Sequence, residues 1–200
     1  MVSPRMSRWL SHLSRCFVAA SFLAAPSSQA APQDSRDIVV HIQKRGEWVI
    51  VDVDMPVEAT ILESWTVMTD YDNMSQFVSN LTSSRVIGRD GNTLTVEQKG
   101  KASRGPLTFS FENIREIVLT PQSEIHSRLV SGDLKASEFT TRVIDRGAFT
   151  QIINHGEFIP NVWVPPIVGP ALIEAETRKQ FQELRTEILR RKVGTAAGRR

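Results

Sequence analysis

The chain has 200 residues, of which 40% are hydrophobic and 23% are charged, and its formal net charge is +2. Residues 1–30 carry three arginines and no acid, so the remainder has 21 basic and 22 acidic side chains and a net charge of −1. This near-neutral balance lacks the basic surface that a general nucleic-acid-binding protein needs, so we expect no nucleic-acid partner. The only cysteine, Cys16, lies in the same leading segment. The remaining ~170 residues therefore have no disulfide and depend on an apolar core, which one domain of this size can form.

Residues 1–30 have the pattern of a signal peptide. Three arginines come before an apolar run at residues 16–25, and small residues follow at 28–30, where a signal peptidase requires them. We predict cleavage after Ala30. Ten apolar residues span about 15 Å as a helix, roughly half of the hydrocarbon core of a bilayer, so a transmembrane anchor is the weaker interpretation. The sequence thus predicts an exported protein, either periplasmic or secreted.

The next element is a β-strand with one buried face. From Trp48 to Met55 the side chains alternate strictly: the valines at 49, 51 and 53 share one face with Met55, and Asp52 and Asp54 share the other. This period of two is typical of a strand in an antiparallel sheet with one face in water.

Two short helices follow this strand. Thr60 and Glu63 have the spacing of a capping box, which predicts a helix start at Thr60. Leu62, Trp65 and Met68 are three residues apart and are expected to share the face that covers the sheet. Asp72 is expected to cap a second helix, because its carboxylate can accept from free backbone N–H groups. This second helix would run through Met74, Phe77, Val78 and Leu81.

Further strands lie between turn signals, and their short connections favour antiparallel pairing. The turn signals are Arg45-Gly46, Asp90-Gly91-Asn92, Arg104-Gly105-Pro106, Thr120-Pro121-Gln122 and Arg146-Gly147. Period-two alternation recurs at Leu94/Val96, Phe109/Phe111, Ile125/Leu129, Phe139/Thr141/Val143 and from Phe149 to Ile159.

A long helix ends the pattern. It is predicted to begin at Gly169-Pro170, because a proline in the first turn has no N–H to leave unpaired. Its apolar stripe contains Ile173, Thr177, Phe181, Leu184 and Ile188, while the pairs Glu174/Arg178 and Glu187/Arg191 are expected on the solvent side. Residues 193–200 are predicted to be a disordered basic tail.

This order of elements, together with five sequence segments, resembles the START-like helix-grip (SRPBCC) superfamily. The likeness is closest to its polyketide cyclase/dehydrase and coenzyme Q-binding branch. It covers about residues 46–192, so we take residues 31–192 as one domain. The matching segments are 53–56 (Val-Asp-Met-Pro), 63–72, 84–86 (Ser-Arg-Val), 129–135 (Leu-Val-Ser-Gly-Asp-Leu-Lys) and 181–188.

The resemblance implies an α+β fold in which a curved antiparallel sheet of about six to eight strands grips the C-terminal helix. It also implies an apolar cavity between sheet and helix, which relatives use for lipids, quinones, sterols or polyketides. Many relatives carry a tryptophan where this chain has Phe139, so the shape of the cavity is not carried over.

The sequence predicts no metal site and no cofactor. Asp52 and Asp54 could form a metal-binding D-x-D pair, but strand alternation explains them as two residues of the polar face. The histidines at 41, 126 and 155 have neither short spacing nor a cysteine beside them. The nucleophile elbow, the dinucleotide fingerprint and the P-loop are all missing from the sequence. Tyr71 is interpreted as a packing residue.

Candidate ligand-binding residues are of two kinds. Aromatic side chains could line the cavity or simply fill the core: Phe77, Phe109, Phe111, Phe139, Phe149, Trp163 and Phe181. Polar side chains on alternating strands could anchor a ligand: His126, Arg128, Gln151 and His155. Sequence alternation alone does not decide which face of these strands points inward.

The leading hypothesis is an exported, non-enzymatic binding or carrier protein for a hydrophobic small molecule, with transient membrane contact as a further expectation. The first alternative is a polyketide cyclase/dehydrase-type enzyme in the same cavity, which inward-facing His126 or His155 would favour. Export argues against it, because polyketide assembly is usually intracellular. The second alternative, an envelope interaction protein without a ligand, would be favoured by a solid core.

Overall fold

The computed structural model describes residues 37–104, 107–161 and 169–197, so the predicted signal peptide and the end of the basic tail lie outside the described residues. The strands are β1 (Val39–Arg45), β2 (Trp48–Val57), β3 (Leu81–Asp90), β4 (Thr93–Arg104), β5 (Leu107–Thr120), β6 (Glu124–Gly132), β7 (Leu134–Asp145) and β8 (Thr150–Pro160). The helices are α1 (Ile61–Met68), a 3₁₀ helix (Tyr71–Gln76) and α2 (Gly169–Ala197).

The strands form one antiparallel sheet in the order β1-β2-β8-β7-β6-β5-β4-β3. Strands β3 to β8 follow each other as a meander, and β8 then pairs with β2. Gly46 and Gly91 stand in the β1–β2 and β3–β4 turns with φ of 61° and 54°, a backbone conformation that glycine adopts without steric cost. The predicted curved antiparallel sheet with its C-terminal helix is confirmed, and the sheet has eight strands.

Strand β2 carries the centre of the core. Val49, Val51, Val53 and Met55 are all buried on its inner face, as the alternation predicts. Outward-facing acids of the same strand pair with β8: the Asp52 carboxylate lies 2.6 Å from Nδ1 of His155. The period of two therefore separates the apolar and charged faces of this strand.

Helix α1 begins with the predicted capping box. The backbone N–H of Glu63 donates to Thr60 Oγ1 at 3.2 Å, and the backbone N–H of Thr60 donates to the Glu63 carboxylate at 2.9 Å. The buried side of the helix is formed by Ser64, Val67 and Met68. Met68 is buried and Trp65 is partly buried against the core, as expected, but Leu62 is 60% exposed and does not belong to this covering face.

The second short helix differs from its prediction. It is a 3₁₀ helix that ends at Gln76, and Leu81 is already the first residue of β3. Asp72 does not cap it; its carboxylate accepts from the backbone N–H of Val86 at 2.7 Å. The short aspartate side chain thus satisfies a donor on the edge strand β3, a contact that local spacing does not reveal.

Helix α2 packs against β1, β2 and α1. It ends at Ala197, five residues later than predicted, so residues 193–197 continue the helix instead of forming a tail. The predicted pair Glu174/Arg178 is present at 2.9 Å. The pair Glu187/Arg191 is also present, at 2.6 Å, but Glu187 is only 7% exposed and so is not on the solvent side as expected.

Among the helices of the described residues, none combines the length and apolar character needed to cross a membrane.

Glu187 is held as a carboxylate by two arginines. Arg190 donates to it at 2.7 Å and Arg191 at 2.6 Å, and Arg191 also donates to Asp70 at 2.8 Å. The Arg190 hydrogen bond, supported by Arg191, lowers the pKa of Glu187 to about 2. The network ties the C-terminal part of α2 to Asp70, which lies between α1 and the 3₁₀ helix.

We therefore expect Glu187→Gln to lower the free energy of unfolding by about 1 to 3 kcal/mol at roughly neutral pH. A lowered folded-state pKa stabilises the fold above the unfolded-state pKa, and this contribution disappears as the pH falls to about 2. Denaturant unfolding of both proteins across the acid range measures the difference. Glu174→Gln, in the more exposed pair, is the control and should change stability little. A wild-type advantage that stays constant with pH would contradict this assignment.

Candidate functional site

A cavity of about 490 Å³ lies between the inner face of the sheet and α2. This volume falls in the range of small-molecule sites in proteins. Most of its wall is apolar, and α2 contributes Leu172, Ile173, Thr177, Phe181 and Leu184. Ile188, the last residue of the predicted stripe, is fully buried in the core beyond the cavity.

Two glycines keep the sheet side of the cavity open. Gly156 lies directly opposite Phe139, and Gly100 lies directly opposite Phe111. A Cβ at Gly156 would come 1.9 Å from Phe139 Cδ1, and one at Gly100 would come 2.4 Å from Phe111 Cζ. The two rings therefore lie over glycine backbone, in the space that a side chain on the neighbouring strand would otherwise occupy.

Two further contacts hold the Phe139 ring in this position. Its ring stacks with that of Phe158 at a centroid distance of 6.4 Å and an interplanar angle of 21°. The guanidinium carbon of Arg115 lies 5.2 Å from the same ring centroid, a cation–π arrangement. The ring consequently forms a defined part of the cavity wall.

Arg115 is a positively charged side chain that lines the cavity from β5 of the sheet. Its Nη1 donates to Ser127 at 3.4 Å and its Nη2 donates to Ser137 at 3.2 Å. Burial lowers its pKa. Within the described part of the chain, no carboxylate forms an ion pair with it. The hydroxyls of Ser127 and Ser137 and the face of Phe139 compensate the charge of the guanidinium only partly. The guanidinium is therefore suited to bind an anionic or carbonyl oxygen of a ligand.

Tyr71, at the start of the 3₁₀ helix, also lines the cavity. Burial raises the pKa of its hydroxyl, and the charge of Arg115 opposes this shift without cancelling it. The phenol therefore stays protonated near neutral pH. It can donate a hydrogen bond to a ligand, but it is a poor general base.

Three of the predicted site residues meet in the cavity wall: Phe111, Phe139 and Phe181. Phe77 is not part of that wall; it packs against the core and lies under the guanidinium of Arg191, 5.3 Å from the ring centroid. Phe109 belongs to β5, but its side chain lies outside the described residues, as does the whole of Trp163.

The predicted polar anchors lie on the outer face of the sheet, so they cannot reach a ligand in this cavity. Ile125 and Ser127 line the cavity, and strand alternation turns His126 and Arg128 away from it. His126 instead contacts Thr140 at 3.2 Å, and Arg128 forms an ion pair with Glu116 at 2.8 Å.

The predicted anchors on β8 also point away from the cavity, because side chains alternate between the two faces of a strand. Asn154 lines the cavity, so Gln151 and His155 face outward. Gln151 donates to the Asp54 carboxylate at 2.9 Å, and His155 contacts Asp52. Histidines of the described residues therefore contribute nothing to the cavity wall, and no cluster of His, Cys, Asp or Glu within these residues could hold a metal ion.

The polar groups that do line the cavity were missed by sequence reasoning. A usable signal was present in β5, where alternation from Phe111 brings Asn113, Arg115 and Ile117 to the same face. Charged residues are usually exposed, so Arg115 did not suggest an inward position.

The fold and the site together define a helix-grip protein with a ligand-sized apolar cavity. Several solved structures share the fold, and three of them illustrate its likeness to this chain. A STAR-related lipid transfer protein fragment from Xanthomonas axonopodis aligns with a TM-score of 0.64 and 8% identity, covering 78% of this chain and 96% of its own. The Zhui aromatase/cyclase from a Streptomyces species aligns with a TM-score of 0.61 and 14% sequence identity. The alignment covers 76% of this chain and 96% of the cyclase. A START superfamily protein from Mycobacterium smegmatis aligns with a TM-score of 0.60 and 12% sequence identity. The alignment covers 70% of this chain and 97% of that protein.

At the sequence level, residues 57–143 match the family described as polyketide cyclase / dehydrase and lipid transport. The resemblance to the START-like superfamily and its polyketide cyclase/dehydrase branch is thereby confirmed. No curated protein sequence matches the chain. The family match and the apolar cavity support a protein that binds a hydrophobic small molecule.

The glycine beneath Phe139 offers a direct test of the cavity. Gly156→Ala should push the Phe139 ring into the cavity, because the added Cβ would clash with it. We expect the affinity for an environment-sensitive probe such as anilinonaphthalene sulfonate to fall by about tenfold or more. Gly88→Ala is the matched strand control, since its Cβ would meet only the Thr95 side chain, at 3.2 Å. Equal probe affinity in wild type and Gly156→Ala would contradict this role of Gly156.

Proposed function

We propose that this protein is an exported, non-catalytic binding or carrier protein for a hydrophobic small molecule held between the sheet and α2. The observation that carries the proposal is the cavity of about 490 Å³ with its largely apolar wall. The family description includes lipid transport, and one of the structures that share the fold is called a lipid transfer protein.

The size of the hydrophobic contribution is consistent with reversible binding. Burying on the order of 300 Å² of apolar ligand surface gives about 7 kcal/mol at roughly 25 cal/mol per Å². The entropy lost on association removes several kcal/mol, which leaves an affinity in about the micromolar range or weaker. Tighter binding requires polar contacts, and Arg115 and Tyr71 provide donors for them.

These two donors narrow the ligand to molecules with an oxygen-bearing end. Arg115 would bind a carboxylate, phosphate or carbonyl oxygen, and the protonated Tyr71 hydroxyl would donate to the same end. Lipids, quinones and polyketide-like molecules all fit this description, because each combines a large apolar body with such oxygens.

Export is the second part of the proposal. It is supported by the positive segment, the short apolar run and the small residues at 28–30. A ligand derived from a membrane, collected by transient contact, would suit an exported carrier. We expect protein recovered from the periplasm or the medium to begin at Ala31 by intact-mass analysis. A recovered chain that still carries residues 1–30 would contradict cleavage.

A cyclase/dehydrase-type enzyme is the alternative that the same cavity could serve. It is supported by the family description and by the shared fold of an aromatase/cyclase. Such catalysis needs an acid or base tuned towards neutral pH within reach of the ligand. The raised pKa of Tyr71 and the outward orientation of His126 and His155 argue against these three residues as the acid or base, so we favour binding over catalysis.

Trimming two residues of α2 tests the binding function. Phe181 lines the cavity and Ile188 packs in the core beyond it. Phe181→Ala should change affinity or selectivity for quinone-like and fatty probes by more than it changes stability. Ile188→Ala should mainly destabilise, by about 2 to 5 kcal/mol, because it leaves a void in packed surroundings.

Binding of a hydrophobic-probe panel and thermal melting of both variants supply the two readouts. A wild-type protein that binds nothing from the panel, with both variants merely melting earlier, would contradict the carrier function. The remaining hypothesis would then be an envelope interaction protein without a ligand.

A further inference from the structure

The charged side chains of the cavity wall are divided between its two ends. The described part of the wall contains one cation and two carboxylates: Arg115, Asp133 and Glu176. Its other polar groups are hydroxyls and amides, which carry dipoles but no net charge near neutral pH. The amide N–H groups of Asn113 belong to this neutral set, so they can donate to an oxygen without selecting the charge of a ligand. The positions of the three charges therefore determine how a charged ligand would lie.

Arg115 lies towards the closed end of the cavity. Along the inner face of β5 it is followed by Ile117, which is 3% exposed and belongs to the core. Burial raises the pKa of the Tyr71 hydroxyl and the charge of Arg115 opposes this shift, which places the two groups close together. Asp70, the residue before Tyr71, accepts from Arg191 in the C-terminal part of α2. The cation and the phenol therefore lie at the end of the cavity where the later turns of α2 pack.

The two carboxylates lie at the opposite end. Glu176 precedes Arg191 by fifteen residues in α2, a separation of about 22 Å along the helix axis. Asp133 lies between β6 and β7, and its carboxylate accepts from the backbone N–H of Glu112 at 2.7 Å. Glu112 comes three residues before Arg115, which is about 10 Å along β5. The exposed residues of the described wall are also found at this end: Ser110, Asp133 and Asn161. This end is therefore the mouth of the cavity.

A group with a single negative charge fits the inner end best. The guanidinium of Arg115 has five N–H groups, and its contacts with Ser127 and Ser137 use two of them. A carboxylate accepts two parallel hydrogen bonds from such a group and balances its charge. A ketone would leave the cation without a counter-charge. A doubly charged phosphate would exceed it, since the described wall contains no second cation.

The acids at the mouth determine the direction of such a ligand. A carboxylate held at the mouth would lie near Asp133 and Glu176, and like charges repel each other more strongly where water is partly excluded. A ligand that enters with its carboxylate first avoids this repulsion and places its apolar body along the apolar wall. Its other end then lies beside the two acids, a position suited to a neutral or cationic group.

We propose that the ligand is an apolar molecule with one carboxylate, bound with that carboxylate at Arg115 and its other end at the mouth of the cavity. This inference rests on the proposed function and adds the class of the ligand and its direction. A monocarboxylic acid whose other end is neutral or carries an amine belongs to this class. A phosphate lipid or a dicarboxylic acid does not.

Probes with the same chain and different head groups test the carboxylate assignment. They are dodecanoate, dodecanol and dodecylamine, each measured by displacement of the neutral fluorophore N-phenyl-1-naphthylamine. Wild type should bind dodecanoate about tenfold more tightly than dodecanol, and dodecylamine most weakly. Arg115→Met should lower the affinity for dodecanoate to that for dodecanol or below, while continued binding of the fluorophore shows that the cavity is intact. Arg128→Met removes an arginine from the outer face of the sheet, so this matched control should keep the preference.

Probes with a charge at both ends test the direction. Wild type should bind ω-aminododecanoate about tenfold more tightly than dodecanedioate, because the second charge lies beside Asp133 and Glu176. The double variant Asp133→Asn, Glu176→Gln should remove this difference. Both changes keep the shape of the side chain, and the asparagine oxygen can still accept from the backbone of Glu112.

The outcomes separate the two proposals. Equal affinity for dodecanoate and dodecanol in wild type, or a preference that survives Arg115→Met, would overturn the carboxylate assignment. Equal affinity for the two doubly charged probes in wild type, or a difference that survives the double variant, would overturn the direction. In each of these cases the binding function stands. Failure of wild type to bind the fluorophore and all five probes would overturn both proposals.

Discussion

The structure depends on how α2 covers the inner face of the sheet without filling the space beneath it. The C-terminal part of the helix is held firmly: Ile188 is fully buried, and Glu187 and Arg191 connect it to Asp70. The part of α2 that comes before Glu187 lies over the cavity, where Thr177 and Phe181 form part of the wall. A helix fixed at one end and lying over a void at the other gives the fold both its stability and its binding site.

Polar contacts beside the cavity support α2 where apolar packing is incomplete. Glu183 accepts from the backbone N–H and the hydroxyl of Ser79 at 2.9 and 2.6 Å. One turn earlier, Gln180 donates to Asn80 at 3.0 Å. These bonds join the helix to the segment between the 3₁₀ helix and β3. The helix is thereby positioned along the cavity by hydrogen bonds that do not need a ligand to form.

Features set by local chemistry could be predicted from the sequence. The Thr60–Glu63 capping box, the alternation of β2 and the stripe of α2 each depend on residues a few positions apart, and the structure contains all three. The resemblance to the helix-grip superfamily then supplied the arrangement of sheet and helix. Most of the fold was accessible in this way.

The polar part of the site depends on contacts between distant strands and could not be predicted in the same way. Arg115 can lie inside because Ser127, Ser137 and Phe139, from two other strands, surround its guanidinium. Nothing within a few residues of Arg115 indicates these partners. The sequence likewise did not determine which alternate residues of β6 and β8 face the cavity. His126 and Gln151 were therefore expected to be possible anchors, and the structure shows that they face outward.

The most direct test of a ligand-carrying function is native mass spectrometry of the protein purified from its own host. A protein that binds a hydrophobic molecule in this cavity should appear with an additional mass of lipid, quinone or polyketide size, and denaturation should release that mass. A native spectrum that shows only the bare polypeptide, from protein that also takes up no hydrophobic molecule added before measurement, would contradict the account.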